Sequence, residues 1–101
     1  MASTIRELSP EEVDLRGDWL VQKDRSVVAD PTEQRIEWLT TQQLQRIASD
    51  SSGWEILYQD PRDGRLWELT YPRGEMHGGG PRRLHIISRV EAAAKYEHAA
   101  I

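Results

Sequence analysis

The sequence predicts a single α+β domain. An antiparallel sheet of about five strands, two hairpins plus a last strand, is packed by a central helix, with a short helix towards each end. Three observations predict it. Residues 54–71 alternate apolar and polar positions around a strong turn signal, Asp60-Pro61-Arg62-Asp63-Gly64. Helix N-terminus signals occur at Ser9, Asp30 and Ser88. Further β-prone runs lie between them, and the chain, at 101 residues, is the length of one domain.

Residues 1–7 form a loose arm. In Leu8-Ser9-Pro10-Glu11-Glu12-Val13, Ser9 is placed to cap a helix, Pro10 to open it and Glu12 to complete a capping box, with Gly17 ending it after about two turns. Residues 18–22 and 26–29 are β-prone runs around the polar turn Lys23-Asp24-Arg25 and predict a first hairpin. Asp30-Pro31-Thr32-Glu33 is the second helix start. Ile36, Leu39, Gln43, Leu44 and Ile47 follow helical spacing, which predicts one helix over 31–49. The alternative is a strand over 35–39 followed by a shorter helix capped by Thr40.

In the central hairpin, a four-residue loop pairs Tyr58 with Trp67, Ile56 with Leu69 and Trp54 with Tyr71. All six then fall on one face, because side chains alternate. Leu57 with Glu68, Glu55 with Thr70 and Gln59 with Leu66 form a mixed face that carries carboxylates. The central helix is expected to cover the aromatic face, making Trp54, Trp67 and Tyr71 core. Trp38 lies off the helical stripe by about a quarter turn and is the aromatic expected to be partly exposed. Residues 83–87 form a last strand. Ser88-Arg89-Val90-Glu91 opens a terminal helix with Val90, Ala93 and Ala94 on one face near Tyr96.

Composition bounds the chemistry. There is no Cys, which excludes a disulfide framework and Cys-based zinc sites. The three histidines, His77, His85 and His98, lack metal-ligand spacing and read as surface or loop residues. No metal or cofactor is expected. No run approaches a membrane span and no signal-peptide core opens the chain, so the expected address is cytoplasmic. Residues 1–75 carry 9 basic and 15 acidic side chains, against 4 and 2 in residues 76–101. An acidic body disfavours direct nucleic-acid binding and favours a basic partner.

Two motifs invite an enzymatic reading. His77-Gly78-Gly79-Gly80 matches the string that supplies oxyanion-hole amides in some esterases, but the nucleophile elbow that chemistry requires is missing from the sequence. A loop whose backbone needs positive φ or approaches another chain closely accounts for the glycines more simply. Glu55 and Glu68, diagonal on the mixed face, could act as an acid–base pair, but nothing else completes a reaction centre.

The strings Arg35-Ile36-Glu37-Trp38-Leu39, Ser52-Gly53-Trp54, Leu57-Tyr58, Asp60-Pro61, Asp63-Gly64-Arg65, Trp67-Glu68-Leu69-Thr70-Tyr71-Pro72 and His77-Gly78-Gly79-Gly80-Pro81 resemble immunity protein family 27 of bacterial polymorphic toxin systems. The likeness extends from about residue 10 to about residue 96, with Gly17-x-Trp19 early and Lys95-Tyr96 late. Two departures fall in the glycine loop. Gly74 precedes Glu75 where the family commonly has Ser, and Arg82 follows Pro81 where a second Pro is common.

The resemblance implies a small protein that neutralises a cognate toxin by binding it, and it brings no catalytic residues. The expected partner is that toxin domain, basic and nucleic-acid-acting on grounds of charge, and neither nucleic acid nor membrane. Candidate binding residues are Glu55, Arg65 and Glu68 on the mixed hairpin face, Trp38, and Glu75, His77, Gly78, Gly79, Gly80 and Arg82 in and beside the glycine loop. A small hydrolase-like enzyme and a scaffold or adaptor module are the alternatives.

Overall fold

A computed structural model gives the fold and describes residues 6–74 and 80–97. In chain order the elements are β1 (Asp14–Arg16), β2 (Trp19–Val21), β3 (Val27–Ala29), α1 (Pro31–Trp38) continued by a π-helical turn (Leu39–Gln43), β4 (Gln45–Ser49), β5 (Ile56–Gln59), β6 (Leu66–Thr70), β7 (Arg83–Ile86) and α2 (Arg89–Lys95). The α+β class holds, with a five-stranded antiparallel sheet in the order β1-β7-β6-β5-β4 and a separate two-stranded sheet of β2 and β3. No helix among the described residues is long and apolar enough to cross a membrane.

The central hairpin forms as its turn chemistry dictates. Asp60 donates its N–H to the Arg65 carbonyl at 2.9 Å, and its own carbonyl accepts from Gly64 N–H at 2.8 Å. Asp60 Oδ1 accepts from Arg62 N–H at 2.9 Å, and Gly64 takes φ 79°, which its missing Cβ permits. Tyr58 pairs with Trp67, Ile56 with Leu69, Leu57 with Glu68 and Gln59 with Leu66, the register predicted. Tyr58, Trp67 and Leu69 then join Ile36 and Leu39 of the α1 segment, Leu44, Leu8, Leu15 and Leu84 in one core. The central helix therefore covers this face.

Three predicted elements are corrected. The first is the helix after Ser9. The capping geometry appears, with Ser9 N–H donating to Glu12 Oε1 at 2.8 Å, but the chain makes one turn and enters β1. Three arginines hold this segment open. Arg35 donates to the carbonyls of Arg6 and Glu7 and grips Glu12 through both terminal nitrogens at 2.6 and 2.7 Å. Arg62 donates to the Leu8 carbonyl, and Arg65 to those of Ser9, Pro10 and Glu12. Carbonyls held by distant guanidinium groups are not available to a local helix.

The second correction is the helix over 31–49. Its start is as predicted, with Asp30 Oδ1 accepting from Glu33 N–H at 2.7 Å. It stops because Thr40 and Thr41 turn their hydroxyls back onto the carbonyls of Ile36 and Glu37, at 2.9 and 2.7 Å. The Leu44 N–H reaches the Leu39 carbonyl five residues back, and Leu44 itself is extended. Residues 45–49 then form an edge strand, with an irregularity between Arg46 and Ala48. The alternative, strand first and helix second, has the order reversed.

The third correction concerns the second face of the sheet. The sequence predicts a covering helix for the aromatic face alone. Instead α2 covers the other, where Leu57, Leu66, Ile87, Ala92 and Tyr96 form a second core. The capping box at Ser88 forms as predicted, Glu91 N–H donating to Ser88 Oγ at 3.1 Å. The buried helix face, however, is Ala92 and Tyr96, four residues apart, while Val90 is 81% exposed. Strand membership shifts accordingly: β1 and β4, both read as helical, complete the sheet, and the first hairpin stands outside it.

Candidate functional site

The carboxylate pair singled out on the mixed hairpin face lies under α2. Glu68 projects from β6 opposite His85 of β7 and is only 4% exposed. Its Oε2 accepts from the Tyr96 hydroxyl at 2.7 Å and faces Lys95 Nζ at 2.6 Å, while its Oε1 lies 3.2 Å from His85 Nε2. Lys95 also bonds Glu55, so one lysine bridges both carboxylates. Burial alone would raise the Glu68 acid, but the bonds from His85, Lys95 and Tyr96 outweigh it and hold it at about 2. The bond to Glu68 raises His85, and burial together with the same carboxylate raises the Tyr96 hydroxyl.

A carboxylate held so far below neutrality is a poor proton donor near pH 7. Chemically, the arrangement anchors α2 on the sheet. His85, read as a surface histidine, is part of that anchor and only partly exposed.

The other described candidates, Arg65, Arg82, Trp38 and Gly80, are held by separate contacts. Arg65 is committed to Asp63 at 2.6 Å and to the carbonyls of Ser9, Pro10 and Glu12, with its guanidinium 5.1 Å from the centre of the Trp67 ring. Arg82 ties the end of the glycine loop to α1. It contacts Glu33 Oε1 at 2.6 Å and Glu37 Oε1 at 3.1 Å. Glu33 is itself buried and packs against Gly17, where a Cβ would sit 2.1 Å from its Oε2. That close approach, and not a helix end, is what requires glycine at position 17. Trp38 is partly buried against the first core, as its offset position implied. Gly80 is buried with φ 74°, consistent with a loop that needs the left-handed region. Glu75, His77, Gly78 and Gly79 lie outside the described residues, as does His98. Among the described residues, no group of three or more His, Asp or Glu side chains converges as a metal site.

Two surface features escape the sequence reading. Trp54, expected in the core, is 54% exposed and meets Tyr71 edge-on, with ring centres 5.1 Å apart at 85°. The predicted pairing of the two residues survives as a contact. Regular strand pairing ends at Ile56 and Leu69, so Trp54 rides on the preceding loop. The β2–β3 hairpin exposes Leu20, Val21, Val27 and Val28. Its consecutive apolar residues leave no polar face, and that pattern was the available signal.

The family model described as immunity protein 27 matches residues 22–88, from the first hairpin to the start of α2. No curated protein and no solved structure gives a significant match.

Proposed function

We propose, from the premise that this chain belongs to the immunity protein 27 family, that it neutralises a cognate bacterial toxin by binding it stoichiometrically. The observation that carries this reading is the family match over residues 22–88. The site geometry agrees with it: the carboxylate pair is bridged by Lys95 and anchors a helix, which fits structural work better than acid–base catalysis.

An interface of about 1,200–2,000 Å² would suffice for such an inhibitor. Its proposed surface is Glu55 and Trp38 together with the loop from Gly74 to Arg83. Glu68 holds Glu55 in place through Lys95, Arg82 ties the loop to α1, and Arg65 is committed instead to Asp63 and the segment 9–12. The acidic balance of residues 1–75 favours a basic toxin that acts on nucleic acid, met by fast, salt-sensitive association in the cytoplasm.

Co-expression tests the proposal. Cells carrying a toxin gene found beside this one should grow only when this protein is also made, and the two should co-purify. Rescue without co-purification would point to enzymatic detoxification, and no rescue would remove the proposal.

A further inference from the structure

We propose that the notch between Trp54 and Tyr71 receives an arginine side chain of the partner. This inference rests on the toxin-binding reading above and names the chemistry that the surface recognises. The notch is about 290 Å³, lined by Asp50, Ser52, Trp54, Glu55, Tyr71 and Gly74. That is at the lower limit of the ~300–1,000 Å³ typical of small-molecule pockets, a size suited to one side chain.

Its walls are of two kinds. Trp54 and Tyr71 offer aromatic surface, and Asp50 and Glu55 offer carboxylates; no basic residue is among the lining residues described. Lys95 approaches Glu55 but is shared with buried Glu68, so a single lysine serves two carboxylates and Asp50 adds a third. Anionic groups are disfavoured here, and an apolar side chain would cover the carboxylates without compensating them. A planar guanidinium satisfies both walls, stacking on the indole while donating to carboxylate oxygens. It does so better than an ammonium, which can neither stack nor donate as a planar fork.

The notch is also preorganised. Asp50 Oδ1 accepts from Ser52 Oγ at 2.7 Å, from Gly53 N–H at 3.0 Å and from Glu55 N–H at 3.3 Å. Ser52 Oγ in turn accepts from Trp54 N–H at 3.1 Å. The turn that presents Trp54 is therefore fixed by its own side chains, so little ordering is left for binding. An exposed tryptophan held in this way is the type of residue that dominates interface energetics.

The test has two arms. In the first, N-acetylarginine amide is titrated into the isotope-labelled protein and the Trp54 indole N–H resonance is followed. A saturable shift is expected, weaker with N-acetyllysine amide and weaker in Glu55→Gln; an unmoved Trp54 resonance overturns the proposal. In the second, Trp54→Ala, with melting unchanged because the ring is largely exposed, should weaken toxin binding by roughly tenfold or more. Affinity within about twofold of wild type would overturn the proposal while leaving the toxin reading intact. If the wild-type protein binds no toxin yet the arginine probe moves Trp54, the toxin reading fails and the arginine notch stands.

Discussion

Trp67 ties the first core to the hairpin turn. Its ring is fully buried and lies beneath Arg65, the residue that also holds the N-terminal segment. Trp67→Ala should cost ~3–5 kcal/mol, measured by chemical denaturation; a change near zero would mean that the aromatic face is not core. The indole Nε1 has no hydrogen-bond partner among the described residues, so Trp67→Phe, which removes an unpaired buried donor, should cost clearly less. Glu68 sets a pH dependence. Its acid falls from 4.5 to about 2 on folding. A carboxylate lowered by folding adds stability that is complete above about 4.5 and is lost as the pH falls towards 2. Glu12, held at about 2 chiefly by the Arg35 bonds, titrates in the same window. Denaturation of the wild type from pH 5 to pH 2 should therefore show a loss that Glu68→Gln reduces by ~1–3 kcal/mol, since Lys95 is partly open to solvent and screened. Equal losses in the two proteins would argue against the anchor beneath α2.

Arg35 decides the fate of a whole segment. It is 4% exposed, and its guanidinium makes four bonds to residues 6–12. Arg35→Ala leaves Glu12 only the Ser9 N–H and the longer contact with Arg6 at 3.7 Å, and should cost ~3–5 kcal/mol. Amide exchange over residues 6–12 should rise well above that of β5 and β6; protection unchanged in this segment would refute the role. The same residue explains a limit of sequence reading. Ser9, Pro10 and Glu12 carry every local sign of a helix start, and the local signs are outvoted by a side chain more than twenty positions away. The central hairpin is legible from Ile56 to Leu69 because turn chemistry and alternation agree there. The end of α1 was not, because Leu44 and Ile47 keep helical spacing in sequence while reaching their cores from extended chain. The carboxylate face misled for a similar reason: Leu57 and Leu66 already hinted at a second covered face, but which element would cover it depended on packing that no local pattern encodes.

At the scale of the molecule, which spans 46 × 33 × 19 Å, the sheet is covered on both faces and the β2–β3 hairpin lies outside it. Its exposed Val21 (73%) and neighbouring apolar side chains, with Trp54, lie outside both buried cores. Exposed apolar side chains grouped in this way are uncommon on a surface that stays free in solution. The candidate site was legible only in part. Glu55 and Trp38 were named, whereas the exposure of Trp54 depends on where β5 and β6 stop pairing. Stoichiometric inhibition is tested by titrating this protein into the purified cognate toxin while following toxin activity. Activity should fall linearly to zero at one molecule of this protein per toxin, in a tight complex that forms more slowly as salt rises. Complete loss of activity at a small fraction of one equivalent, with no complex recovered, would contradict it.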